Sequence, residues 1–316
     1  MVSARHFIFG YGSLICSESR AKTAASLRGR AAFPVVVNDL LVRTWSARCR
    51  YGNQDGMTAV GVQLVLPDCG MDIGNNRKDA VDTNVDIDDE SDGGSVQKTA
   101  KKNESTDRER TRCAGVLIEV NKKELIRFDA RESNYDRVEI PLDCIEPWSE
   151  KEREFLEDLR TEQSDKDQPI RIWAYVIQYP HCPSATFPIA QSYVDIILKG
   201  CLSISPEFAS EFVRTTVGWS DVSQDDKDDD DGKDGHDDDS IADPNEGNDA
   251  LGRNAQQSSP SSIWVDDRRL DRPIYIRADP QYSITNTQHL DGLLQKAIPR
   301  AFSRRASLSE TEKDNA

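Results

Sequence analysis

The stretch His6-Phe7-Ile8-Phe9-Gly10-Tyr11-Gly12-Ser13-Leu14-Ile15 decides how the rest of the chain is read. Phe7, Ile8 and Phe9 form a short apolar run of the kind that makes a buried strand, and the two glycines that follow end it in a turn. Gly10 and Gly12 are expected to supply φ > 0, letting backbone approach a ligand while successive N–H groups form an anion-binding nest. A plain tight turn between strand and helix accounts for the same residues. Two familiar motifs are excluded. Ile15 stands where GxGxxG needs its third glycine, and Ser13 sits in Gly-Tyr-Gly-Ser-Leu-Ile rather than GxSxG.

Outward from this turn, a polar helical stretch is expected near 18–29 and β-rich segments around 33–51 and 57–66. Composition breaks at position 69. From about 70 to 112 aromatics vanish and Asp, Asn, Gly, Lys and Ser dominate, the mark of a disordered insertion. Order returns at Cys113 with the strand CAGVLIEV. Asn121 then precedes Glu124 by three residues, a capping-box start for a short helix that carries Leu125 and Phe128 on one face and ends near Glu132.

Residues 137–147 read as strand, 149–163 as a charged amphipathic helix and 170–179 as a half-buried strand. An apolar helix is expected over 188–202, with Pro188 at its start and Gly200 at its end. Another helix is expected over 206–216. An Asp-rich run over 221–262 interrupts the chain again, and 263–279 resumes with Trp264, Ile274 and Tyr275, which need something to pack on.

The organisation is one domain made of 1–69, 113–220 and 263–302. It carries disordered insertions at 70–112 and 221–262 and a disordered tail at 303–316. Within that tail, Arg304-Arg305-Ala306-Ser307-Leu308 has the pattern of a basophilic-kinase substrate.

Charge and cysteine usage exclude several function classes. The formal net charge is −16, of which the Asp-rich run carries −11 and the 70–112 run −3, so the remaining segments are near neutral. That leaves no basic footprint for nucleic acid, and the acidic 221–262 run is the candidate docking surface for a basic protein partner. The 7 cysteines are scattered without a CxxC pair, as expected of reduced thiols in the cytoplasm. No apolar run approaches a membrane span, and no secretory signal is read at the N-terminus. The four histidines lack HExxH spacing, and counting back from Gly232 puts Lys227 where a calcium loop needs its first carboxylate. No cofactor or metal is expected.

Phe128-Asp129-Ala130-Arg131-Glu132-Ser133-Asn134-Tyr135 is the second stretch with chemical content. A carboxylate beside an apolar helix face is desolvated, which raises its pKa and suits it to moving protons. A surface Glu paired with Arg131 or Arg137 at a helix end is the plainer alternative.

Taken with the first stretch, it points to a family. Phe9-Gly10-Tyr11-Gly12-Ser13-Leu14-Ile15 resembles the N-terminal signature of γ-glutamylcyclotransferases, including the glutathione-specific ChaC type. Phe128 to Tyr135 resembles that family's second signature, an Arg-Glu pair followed closely by Tyr. Gln191-Ser192-Tyr193, Thr216-Val217-Gly218-Trp219 and Trp264-Val265-Asp266-Asp267-Arg268 are similar to a bacterial and plant-like branch. The resemblance implies an α+β fold, a small mixed β-barrel with flanking helices, and no cofactor.

The resemblance also implies a reaction, in which the α-amino group of a γ-glutamyl compound attacks its own side-chain amide and releases 5-oxoproline. Glu132 would act as general acid/base. Tyr11, Gly12, Ser13 and Leu14 would cradle the small-molecule γ-glutamyl substrate, with Tyr135 and Tyr175 as further contacts. The rival readings are a non-catalytic partner-binding module of the same fold and a related amide hydrolase.

Overall fold

A computed structural model describes residues 4–50, 56–65, 111–164, 169–219 and 263–308. The chain divides into two units, Met1–Val65 with Thr111–Ala316, and Leu66–Arg110; the second lies outside the described residues. So do the acidic runs expected as insertions at 70–112 and 221–262, apart from Thr111 and Arg112.

Strand β1 (Arg5–Gly10) sits inside a six-stranded sheet, and its period-two alternation feeds both faces. Phe7, Phe9 and Tyr11 point into one apolar cluster with Leu156 and Leu159, and Ile8 points into another with Val194, Ile197 and Leu198. The sheet adds β2 (Phe33–Asn38), β5 (Arg112–Val120), β6 (Asp136–Glu139), β7 (Ile145–Pro147) and β8 (Ile170–Val176), in the order β6-β8-β1-β5-β2-β7. β1 pairs antiparallel with β5 and parallel with β8.

A second sheet joins β3 (Leu41–Cys49), β4 (Met57–Leu64) and β10 (Thr216–Val217). A third joins β9 (Ile189–Ala190), β11 (Trp264–Asp266) and β12 (Ala306–Ser307). The helices are α1 (Ser17–Thr23), α2 (Lys122–Arg131), α3 (Glu150–Ser164), α4 (Gln191–Leu202), α5 (Pro206–Thr215), α6 (Pro280–Ala297) and α7 (Pro299–Ser303).

The α+β class is as expected, but the sheets do not close into a barrel. The break falls inside 137–147, which the sequence reads as one strand. Pro141 lacks an N–H, so pairing stops there and the chain makes a 3-10 turn at Leu142–Cys144 before β7. β6 and β7 lie at opposite edges of the sheet although only residues 140–144 separate them in sequence. Five residues span less than about 20 Å, so the sheet is strongly curled but open. Ile140 and Leu142, in the connection between these edges, are buried in the core.

Other expectations shift in detail. The helix expected over 18–29 ends at Thr23 and is followed by a 3-10 turn, Ala25–Leu27. The helix expected over 188–202 starts at Gln191, because Pro188 and β9 precede it in extended backbone. Gly200 lies within the last turn of α4 rather than capping it. A Cβ there would stand 2.5 Å from the Cys16 backbone nitrogen, so the glycine lets α4 press against the turn that follows β1.

Residues 303–308, expected to fray, end α7 and form β12, which pairs with β11. Arg305 is held there by both carboxylate oxygens of Asp291, at 2.9 and 2.8 Å, and by Gln191. The kinase-like pattern around Ser307 is therefore tied into a sheet through its own arginine. Helix α6 has no forecast in the sequence reading: Leu290 and Leu294 are buried, but Thr, Asn and Gln occupy much of its length.

Candidate active site

The turn after β1 is a 3-10 helix, Ser13–Ile15, closed by the Ile15 N–H donating to Gly12 O at 2.9 Å. Helix starts leave their first N–H groups without an intrahelical acceptor, which applies here to the Ser13 and Leu14 amides. Arg20, on α1 and buried, donates to the Leu14 and Ile15 carbonyls at 2.9 and 2.8 Å and pins the turn from beneath.

The expectation of φ > 0 at the glycines fails: among the described glycines only Gly29 and Gly218 have positive φ, and Gly12 has φ −136°. Space, rather than conformation, is what Gly12 provides. A Cβ there would lie 2.8 Å from Val60 Cγ2 and 3.2 Å from the Tyr193 hydroxyl.

Helix α2 delivers the carboxylate. Asn121 and Glu124 form the expected capping box, with the Asn121 side chain accepting from the Glu124 N–H and the Glu124 carboxylate accepting from the Asn121 N–H. Leu125 and Phe128 bury the inner face. Glu132 is the C-cap residue, its N–H donating to Phe128 O at 2.8 Å, and the Tyr135 N–H donates back to Glu132 O at 2.9 Å. The close Glu132–Tyr135 spacing is thus one tight turn.

Arg131 links the two stretches. Its Nε lies 2.8 Å from Glu132 Oε1, its Nη2 donates to Ser13 Oγ at 3.0 Å, and its Nη1 donates to Thr23 Oγ1 at 2.6 Å and to Ser19 O at 3.2 Å. Of the two arginines expected as partners for Glu132, Arg131 takes the role. Arg137 instead grips Asp129 with two contacts, at 2.8 and 2.6 Å.

The two stretches face one narrow cavity of about 40 Å³, lined by Tyr11, Gly12, Ser13, Leu14, Glu132, Tyr135 and Tyr175 together with Phe9, Val60 and Tyr193. All of the candidate site residues Tyr11, Gly12, Ser13, Leu14, Glu132, Tyr135 and Tyr175 line it, whereas Gly10 does not. Glu132 keeps 17% of its side-chain surface exposed. Burial raises the pKa of its carboxyl, against the pull of the Arg131 and Arg277 guanidinium groups. The negative end of the α2 dipole works in the same direction as burial.

Tyr11 and Tyr135 are pushed well above the usual phenol range, first by burial and then by neighbouring acidic groups, so both stay protonated as donors. The Tyr11 hydroxyl donates to Tyr175 O, and the Tyr175 hydroxyl donates to Asp129 Oδ1 at 2.9 Å. Their hydroxyls are therefore committed to the protein itself, which makes these two rings walls of the cavity.

Tyr193, Arg131, Asp129 and Arg20 carry no site assignment in the sequence reading. Tyr193 reads as core in an apolar helix, and buried arginines leave no period in a hydropathy pattern. Arg131 had the signal of adjacency to Glu132, and Asp129 and Tyr193 lay within segments that carry the family resemblance.

Ser13 is not placed as a nucleophile. Among the described residues its hydroxyl is met by a donor, the Arg131 guanidinium, whereas a nucleophilic serine needs an acceptor for its proton. Ser13→Ala should therefore cost about 1–2 kcal/mol, one hydrogen bond. Gly12→Val should be worse: the added atoms drive Val60 and Tyr193 apart, and an ångström of misplacement at the site costs roughly 100-fold in rate. Measured rates for the two variants check the order, and mass spectrometry checks for an adduct on Ser13. Abolition by Ser13→Ala with a covalent adduct would reverse the assignment.

Neither a protein-family model nor a curated protein matches the chain. Among solved structures it is similar to an uncharacterised human protein (13% identity, TM-score 0.37), with 66% of this chain and 86% of that one covered. It is also similar to a γ-glutamyl cyclotransferase (12%, TM-score 0.37; 66% and 86% covered). A third is a γ-glutamyl cyclotransferase specific to glutathione from yeast (10%, TM-score 0.31; 66% and 84% covered).

Proposed function

We propose that the chain is a γ-glutamylcyclotransferase-type enzyme that releases 5-oxoproline from a γ-glutamyl peptide or amide. One observation carries this reading: Glu132, with its pKa raised by burial, shares a tyrosine-walled cavity with the amide-bearing turn Gly12–Leu14.

The chemistry follows from that pairing. The substrate's α-ammonium must lose a proton before its nitrogen can attack the γ-carbonyl carbon, and Glu132 accepts that proton. As the new C–N bond closes the five-membered lactam, negative charge grows on the carbonyl oxygen, and the Ser13 and Leu14 amides meet it. The amide C–N bond then breaks: the proton held by Glu132 goes to the leaving nitrogen, and the freed carboxylate takes the ring nitrogen's second proton and passes it to the released amine, leaving the lactam N–H. Nucleophile and electrophile belong to one molecule, so the rate depends on folding the glutamyl chain into attack geometry. Rigid walls such as Tyr11 and Tyr175 serve that purpose.

The purified protein, incubated with a panel of γ-glutamyl amino acids, peptides and amines, should form 5-oxoproline from at least one of them. Free glutamate in its place would identify an amide hydrolase. Binding without any product would favour a non-catalytic module. The cytoplasm remains the proposed location, and a basic protein the proposed partner of 221–262; among the described residues no helix is long and apolar enough to cross a membrane.

A further inference from the structure

Arg304-Arg305-Ala306-Ser307-Leu308 is a motif that the proposed reaction leaves unused. Arg304 and Arg305 stand three and two residues before an exposed serine, the positions at which a basophilic kinase meets cations with carboxylates of its cleft. The fold occupies the second of these cations. The Arg305 side chain is 11% exposed, 4.5 Å from the Phe302 ring centre, with its guanidinium on both oxygens of Asp291 at 2.9 and 2.8 Å and on Gln191 Oε1 at 2.8 Å. The backbone is held as well: β12 pairs with β11, Ser307 standing opposite Asp266, and the Leu308 N–H donates to Asp266 O at 3.0 Å.

A kinase cleft takes its substrate as an extended chain with both arginines in reach, which the docked strand does not offer. Phosphorylation therefore draws on the undocked form, at a rate scaled by that form's population. Once the phosphate is in place, docking is opposed twice. A phosphoserine brings about −1.5 to −2 charges at neutral pH. Here they arrive level with Asp266, whose carboxylate lies 3.5 Å from Arg305 Nη2. The phosphate also stands two residues from Arg305 on the same strand face, close enough to take that guanidinium from Asp291.

We propose that Ser307 is a phosphorylation site for a basophilic serine kinase, and that phosphate there keeps residues 304–308 undocked from β11. The Ser307 oxygen bonds to the γ-phosphorus of a nucleoside triphosphate, its proton passes to the kinase, and the nucleoside diphosphate leaves. The Asp291–Arg305 clamp is the lock, and the modification holds it open.

The test treats the full chain and a peptide of residues 301–310 with ATP and the catalytic subunit of cyclic-AMP-dependent kinase, a basophilic enzyme. Mass spectrometry locates the phosphate. Ser307 should be modified in both, more slowly in the full chain, and Ser307→Ala should abolish that modification. Asp291→Asn weakens the clamp without touching the motif, and should speed modification of the full chain by roughly 10-fold, the worth of one charged hydrogen bond. Hydrogen exchange of the Leu308 amide should quicken by a similar factor in the phosphorylated wild type. An unmodified Ser307 in the full chain, or phosphate on Ser303 or Ser309 alone, overturns the site. A full chain modified as fast as the peptide, with no gain from Asp291→Asn, overturns the lock. Leu308 protection unchanged by phosphate overturns the release. The wild type by itself decides both the site and the release, so neither depends on how well Asp291→Asn folds.

Discussion

Glu132→Gln should lower turnover by roughly 10²–10⁴-fold while leaving substrate binding nearly intact. The amide keeps the shape and a hydrogen-bond acceptor for Arg131, but it cannot take the proton of the substrate ammonium. The same substitution should stabilise the protein near neutral pH. Burial raises the folded-state pKa of this carboxyl, so the fold disfavours its charged form. The folded chain then binds more protons at this site than the unfolded chain between the ordinary carboxylate pKa and the raised value. Across that window stability falls as pH rises, and the penalty is full above it. Gln removes the penalty.

Activity runs the other way. The rate should climb as Glu132 deprotonates, giving an acid limb above the ordinary carboxylate range. Denaturant unfolding of both proteins and a pH–rate profile of the wild type check the three statements together. A Gln variant that turns over normally, or one that is less stable without a rate loss, would mean that Glu132 is only a partner for Arg131.

Arg43→Met should destabilise the fold by about 2–4 kcal/mol, through lost hydrogen bonds to buried neutral acceptors, a large share of the roughly 5–15 kcal/mol that holds a protein together. Arg43 is 1% exposed and has no ion-pair partner among the described residues; its acceptors are neutral. Its Nε donates to Thr216 Oγ1 at 2.8 Å, its Nη1 to Ala114 O at 2.7 Å and more weakly to Tyr11 O at 3.4 Å, and its Nη2 to Phe212 O at 3.1 Å and Thr215 Oγ1 at 2.8 Å. The guanidinium also sits 4.0 Å over the Phe212 ring.

One planar cation thus joins β3, β5, α5, β10 and the residue that begins the candidate cradle. Methionine fills much of the volume but donates nothing; Phe212 O keeps the Thr216 hydroxyl as a donor, and each acceptor left with none costs about 1–3 kcal/mol. Arg43→Lys should fall between, since an ammonium has three donors and no plane to stack. The shift in denaturation midpoint measures both. A loss below about 1 kcal/mol for Met would show that the acceptors find other donors.

Much of the site can be read from the chain because its two halves are local. The strand-turn 6–15 needs only an apolar run stopped by glycines, and the helix before Glu132 needs only a capping box and an apolar pair. Both lie within single turns of backbone, where sequence neighbours set geometry, and the β1, β5 and α2 boundaries follow from them. Tertiary structure alone decides the rest, because it depends on chain segments far apart in sequence. Gly12 looks like a conformational glycine and is a steric one, since Val60 and Tyr193 arrive from β4 and α4. The expected barrel stays open because Pro141 interrupts the strand that would close it, a choice visible only once β6 and β7 are placed at opposite edges.

Residues 303–308, polar and short, hold a strand because Asp291 and Gln191 are brought to Arg305 from α6 and α4. Arg43 has no periodicity to betray it, as its acceptors come from residues 11, 114, 212, 215 and 216. Sequence by itself nominated the candidate site residues, through local pattern and a family resemblance. Only the fold decided what each one faces, because a buried charge or a close contact is a property of the neighbours that packing supplies.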